Sequence, residues 1–179
     1  LIICFLIIFI SCSQDSFVPK PKAFVSIQFD DKLYNIPKFP KKYPFSFEIP
    51  KYSELELIDN YLNLNFKKYK AKLHISYFPL KNNLNKHTEK SRKLAFKHTN
   101  KANSISEIVY QNADKNVYGV KFDYDGNTAT STQFFLTDSS NHFFRGALYF
   151  ISPKSDSLAI VDEYLKVDII RIIETFCWK

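Results

Sequence analysis

Ser131, His142 and a carboxylate, Asp123 or Asp138, are the residue types of nucleophilic hydrolysis. Ser131 sits in no GxSxG elbow, and P-loop, GxGxxG and HExxH patterns are absent from the sequence. With only three glycines, the chain has little to build a phosphate-cradling loop from. The four histidines, His74, His87, His98 and His142, show neither HxH nor i,i+4 spacing. His87 and His98 share a helical face but stand three turns apart, too far to hold one ion. They read as structural, so neither catalysis nor a metal or other cofactor is expected. The stronger anomaly is a polar strand. Thr128, Thr130 and Thr132 share one of its faces, and Ala129, Ser131 and Gln133 share the other. One reading makes it an edge or solvent-facing strand of a one-sided sheet. The other makes its hydroxyls and amide a recognition face framed by Asn127, His142 and Arg145, with Ser131, Gln133 and Arg145 as surface contacts.

A formal net charge of +7 raises the question of nucleic acid. The lysines are spread through every segment, and arginine occurs only as Arg92, Arg145 and Arg171. A phosphate-binding face concentrates such charge, so a solvated lysine-biased surface is expected and no nucleic-acid partner.

The amino end speaks about compartment. Residues 1–10 form an apolar run broken only by Cys4. That is too short to span a ~30 Å hydrocarbon core and matches the apolar region of a signal peptide. No Met or basic stretch precedes it, so residues 1–11 are expected to be a signal peptide lacking its first few residues. Phe9-Ile10-Ser11-Cys12 resembles a lipobox, which makes Cys12 the expected lipidation site and residues 12–22, with Pro19 and Pro21, its tether. An ordinary secretory peptide cut elsewhere, with Cys12 incidental, is the alternative. Once Cys4 is removed and Cys12 acylated, only Cys177 remains, and no intramolecular disulfide can form. Cys177 is expected as a small buried hydrophobe in the last turn of a helix.

Residues 23–179 then form one domain, rich in Phe (18) and Tyr (11) and so suited to an aromatic, sheet-based core. Its centre is expected between Val117 and Ile151. Tyr118, Val120, Phe122 and Tyr124 alternate, Asp125-Gly126-Asn127 turns, the polar strand runs from Thr128 to Leu136, and a third strand covers Phe143 to Ile151. Ala23–Phe29 is a first strand candidate, followed by an irregular segment around Pro37, Pro40 and Pro44. Leu62, Leu64 and Phe66 pair with Leu73, Ile75 and Tyr77 as a hairpin across Lys67-Lys68. The period changes over Asn82–Ser104, where Leu84, Ser91, Ala95, His98 and Ala102 share one helical face and Phe96 points away. Ile108 and Tyr110 begin the next strand. A last helix starts at a Ser155 or Ser157 cap and carries Leu158, Val161, Leu165, Ile169, Ile172 and Phe176 as an apolar stripe. The class is α+β, an antiparallel sheet flanked by two main helices.

Specific segments also carry a resemblance. Pro19-Lys20-Pro21-Lys22-Ala23, Tyr43-Pro44-Phe45-Ser46-Phe47-Glu48 and Asn82-Asn83-Leu84 resemble the gliding motility lipoprotein GldD family. So do Gln133-Phe134, Leu136-Thr137-Asp138-Ser139, Gly146-Ala147-Leu148-Tyr149-Phe150 and the ending through Asp168-Ile169 to Trp178-Lys179. The resemblance implies a sandwich of the Mog1 or PsbP type. It also implies a lipid-anchored envelope protein with its soluble domain in the periplasm, needed for gliding and associated with type IX secretion. The expected role is non-enzymatic docking on other gliding or secretion proteins of the envelope. A periplasmic module binding a small ligand or peptide is the alternative, and a cryptic hydrolase stands third.

Overall fold

Long runs of alternating Phe, Tyr, Leu and Thr have too much β-branched and aromatic content to favour helix, and they pair instead. The computed structural model describes residues 27–58, 61–97, 102–126, 128–151 and 156–179, with only the backbone given for Asp156 and Ser157. The strands in chain order are β1 (Tyr34–Asn35), β2 (Phe45–Ser46), β3 (Ile49–Pro50), β4 (Glu54–Ile58), β5 (Tyr61–Phe66) and β6 (Ala71–Pro79). After helix α1 (Leu84–Phe96) come β7 (Ala102–Asn112), β8 (Val117–Gly126), β9 (Thr130–Thr137) and β10 (His142–Phe150). Helix α2 (Asp156–Thr175) and the short β11 (Cys177–Trp178) complete the described fold. One antiparallel sheet of seven strands runs in the order β4-β5-β6-β10-β9-β8-β7. The expected meander β8-β9-β10 and hairpin β5-β6 therefore both form, and they meet where β10 pairs with β6.

The two faces of the sheet differ. Leu62, Leu64, Phe66, Leu73, Ile75, Phe134, Phe144 and Leu148 point toward α2 and bury its stripe of Val161, Leu165, Ile169 and Ile172. Phe45, Phe47, Phe144 and Phe176 interlock there, with ring centroids 5.0–6.0 Å apart. Close approach is needed at Gly146 in central β10, where any Cβ would collide with the Phe134 ring lying across it. On the opposite face α1 covers a smaller group, Phe122, Tyr124, Phe135 and Phe143. Ser91 and Ala95 supply its buried side, and their small volume lets the helix sit close.

Four local expectations change. No strand forms over residues 27–29; Phe29 is held by stacking on Tyr164 at 4.3 Å rather than by a ladder, and residues 23–26 lie outside the described set. Helix α1 stops at Phe96, so Ala102 and Ser104 belong to β7, where the exposed edge of β8 offers them a ladder from Gly126 back to Val117. Phe96 turns toward the sheet and meets the Phe122 ring edge-on at 6.2 Å. Cys177 leaves the last helix and pairs with Ser46 in the small β2-β11 ladder, half-buried with its sulfur 3.0 Å from the Ser46 hydroxyl. His98, Asn127 and the Ser155 and Ser157 side chains fall outside the described residues.

Candidate functional site

The polar strand is buried. All eight residues of β9 are closed off from water, with Ser131 4% and Gln133 2% exposed. The expectation of an edge strand or an exposed recognition face is thereby corrected for these two residues. Neighbours on both sides and a helix over each face bury the strand. Two threonines of the strand are satisfied: Thr130 donates to the Leu148 carbonyl at 2.8 Å, and Thr132, on the α2 side, donates to Asp123 at 2.8 Å. Asp123 in turn is paired with Lys121.

The other face of β9 is different. Ser131 stands at a register shift between Leu148 and Tyr149, and its hydroxyl has no hydrogen-bond partner. Gln133 accepts a hydrogen bond from Arg145 through Oε1, while its buried amide nitrogen has no partner. Each such group costs about 1–3 kcal/mol when left unmade. Arg145 is itself partly buried and lies in the field of the Tyr124 and Tyr149 phenols; burial pulls its pKa down. Among the described residues no carboxylate comes within ion-pair distance of it. Alternation in strands 9 and 10, read from sequence, does bring Ser131, Gln133 and Arg145 together, but beneath the surface rather than on it.

His142 goes elsewhere. Its place in β10 puts it on the α2 side, at the opposite end of the strand. There it shares a 2.8 Å hydrogen bond with the Tyr77 hydroxyl and stacks on Trp178 at 5.1 Å. An open groove of about 630 Å³ runs past it, walled by Asp138, Trp178 and Lys179. Thr130 is opposite Tyr149 and Thr137 opposite Phe143, so Ser131 and His142 are separated by roughly 20 Å along the strands. The hydrolase constellation is therefore not assembled. Asp138 instead accepts the backbone N–H groups of Ser140, Asn141 and His142, closing the β9-β10 turn. Burial works against its ionisation, yet those three donors hold its pKa below the usual value. The other described histidines also face neutral partners, His74 on Asn63 at 2.9 Å and His87 near Asn83 at 3.3 Å.

A second polar cluster escaped the sequence reading. Asp168, fully buried on α2, accepts from Lys32 Nζ at 2.7 Å, from the Tyr34 hydroxyl at 2.8 Å and from the Tyr52 hydroxyl. Lys32 also lies 3.3 Å from the centre of the Tyr164 ring, and Tyr69 donates to Asp30 at 2.7 Å. Burial, and the carboxylate behind it, push the Tyr34 and Tyr52 phenols well above their ordinary pKa. The cluster straps residues 30–52 across α2. Its only sequence signal was a carboxylate amid the apolar residues of the last helix.

The outermost strand, β7, supplies an exposed surface. Ile108 and Val109 are 49% and 75% exposed, and Ile108, Tyr110, Ile170 and Ile173 line an apolar groove of about 230 Å³ between strand and α2. Among the described residues no helix is long and apolar enough to cross a membrane.

Residues 14–178 match the protein family described as gliding motility lipoprotein GldD. No curated protein matches the chain in sequence. In structure it is similar to cyanobacterial PsbP (CyanoP) from Synechocystis sp. PCC 6803, known from a solution structure. The likeness has a TM-score of 0.53 at 6% identity and covers 87% of this chain and 98% of the other. At that identity the likeness concerns the fold, an antiparallel sheet with flanking helices of the PsbP type.

Proposed function

Since the chain belongs to the gliding motility lipoprotein GldD family, we propose that it docks other envelope proteins of the gliding and type IX secretion machinery without chemistry of its own. The family makes it a lipid-anchored envelope protein; placement of the domain in the periplasm, with Cys12 as the anchor, belongs to this proposal. The observation that carries docking is β7. Its eleven residues leave one row of backbone N–H and C=O groups unpaired within the sheet. Strand edges of that length are usually blunted by lysine or proline, and β7 contains neither. The occupant that satisfies such an edge is an extended segment of a partner, adding one more strand while its apolar side chains fill the groove beside Ile108.

Two measurements test this reading. Replacing Ile108 and Val109 together by Lys should leave thermal unfolding within about 1 kcal/mol, since both are exposed. The same change should abolish gliding and crosslinked capture of envelope partners; a variant that folds and still does both would end the strand-docking idea. For the anchor, Cys12→Ala should give a precursor that no longer labels with palmitate. Undiminished labelling would place the lipid elsewhere.

A further inference from the structure

We propose that Arg145, Gln133 and Ser131 form a binding site for a carboxylate on the α1 side of the sheet. Every free function there can donate, and none carries negative charge. Gln133 uses its carbonyl oxygen on Arg145, which leaves the amide N–H groups; Ser131 has its hydroxyl; Arg145 has the rest of a five-donor fork. The titratable groups that act on the Arg145 charge are the Tyr124 and Tyr149 phenols, and among the described residues no carboxylate forms an ion pair with it. A carboxylate is planar and fits the guanidinium fork through two parallel bonds, and the unpartnered Gln133 amide and Ser131 hydroxyl lie buried on the strand behind that fork. Arg145 is the partly exposed member, and the two buried donors stand on the strand next to it.

A purely structural role for the trio fits poorly with its chemistry. A guanidinium kept for stability is normally matched by an acid, and the Arg92–Glu107 and Arg171–Glu48 pairs show the pattern elsewhere in this chain. Arg145 instead meets an amide whose other end has no partner, an arrangement that apolar residues of similar size would improve. The site is independent of the β7 edge, which lies three strands from β10.

Thermal unfolding of the full chain in detergent would be followed with sodium acetate or succinate as free carboxylates, and with a short oligoglutamate peptide as carboxylates borne by a protein. Sodium chloride at equal ionic strength is the reference. The wild type should show a saturable rise in midpoint with one of these probes, and the more effective one identifies the source. Arg145→Lys keeps the charge but not the fork, and should weaken the response roughly tenfold. The double change Arg145→Leu with Gln133→Leu should remove the response without lowering the midpoint in chloride. The Ile108 and Val109 lysine variant should respond as wild type. Absence of a saturable rise over chloride, or an equal rise in wild type and Arg145→Lys, overturns the proposal. Should the double variant fail to fold, Arg145→Lys decides by the same comparison.

Discussion

Ile169→Asp is expected to cost at least about 4 kcal/mol, enough to unfold a large share of molecules in a domain of ordinary stability. Ile169 is fully buried at the middle of the α2 stripe, between Leu165 and Ile172. The substitution forfeits about 1.5–3 kcal/mol of apolar burial and places a carboxylate where no donor faces it. Val167→Asp is the control, because Val167 is 51% exposed on the same helix and should shift stability by no more than about 0.5 kcal/mol. Denaturant unfolding of both variants settles the point. An Ile169→Asp midpoint close to wild type would mean that α2 is not packed on the sheet as described.

One residue away the expected failure is of another kind. Asp168→Ala should destabilise by about 3 kcal/mol, the lower end of the range for breaking a buried pair. Lys32 keeps 27% side-chain exposure and so recovers part of its hydration. The loss should also be local, because Lys32, Tyr34 and Tyr52 all converge on this carboxylate from a segment with little sheet of its own. Limited tryptic digestion should therefore cleave at Lys32 and Lys51 before the sheet opens. Asp168→Asn, which still accepts from the phenols but leaves the ammonium unpaired, should fall between. If Asp168→Ala keeps both its midpoint and its protease resistance, the strap is held by its aromatic stacking alone.

The contrast between these neighbours shows what alternation and helical period convey. Ile169 was legible because the stripe repeats every three or four residues, and so were β5, β6 and the β8-β10 meander. Asp168 was not, since its meaning depends on Lys32, Tyr34 and Tyr52, more than a hundred residues away in a segment of short strands and prolines. The same limit explains β9. Its composition marked it as unusual, and period two placed Ser131 with Gln133 on one face. Burial, however, was decided by β8, β10 and the two helices, which no local pattern of threonines encodes. His142 was grouped with that face by nearness in sequence, although its parity in β10 assigns it to the other. The end of α1 was missed because Ala102 suits either period, and pairing with β8 outweighs one more helical turn.

The small ladder between β2 and β11 has a bearing on how the chain is made. Phe45 pairs with Trp178, and Lys179 donates its backbone N–H to Pro44 at 2.9 Å. These contacts, and the Lys32–Asp168 pair 136 residues apart in sequence, lie among the widest closures a chain of this size can form. During ribosomal synthesis β2 waits for its ladder partner until Trp178 has been added, and closures of that span are slow compared with local hairpins. A nascent chain of this design can form its local hairpins as it grows, but it closes its aromatic core only when α2 and β11 have been added.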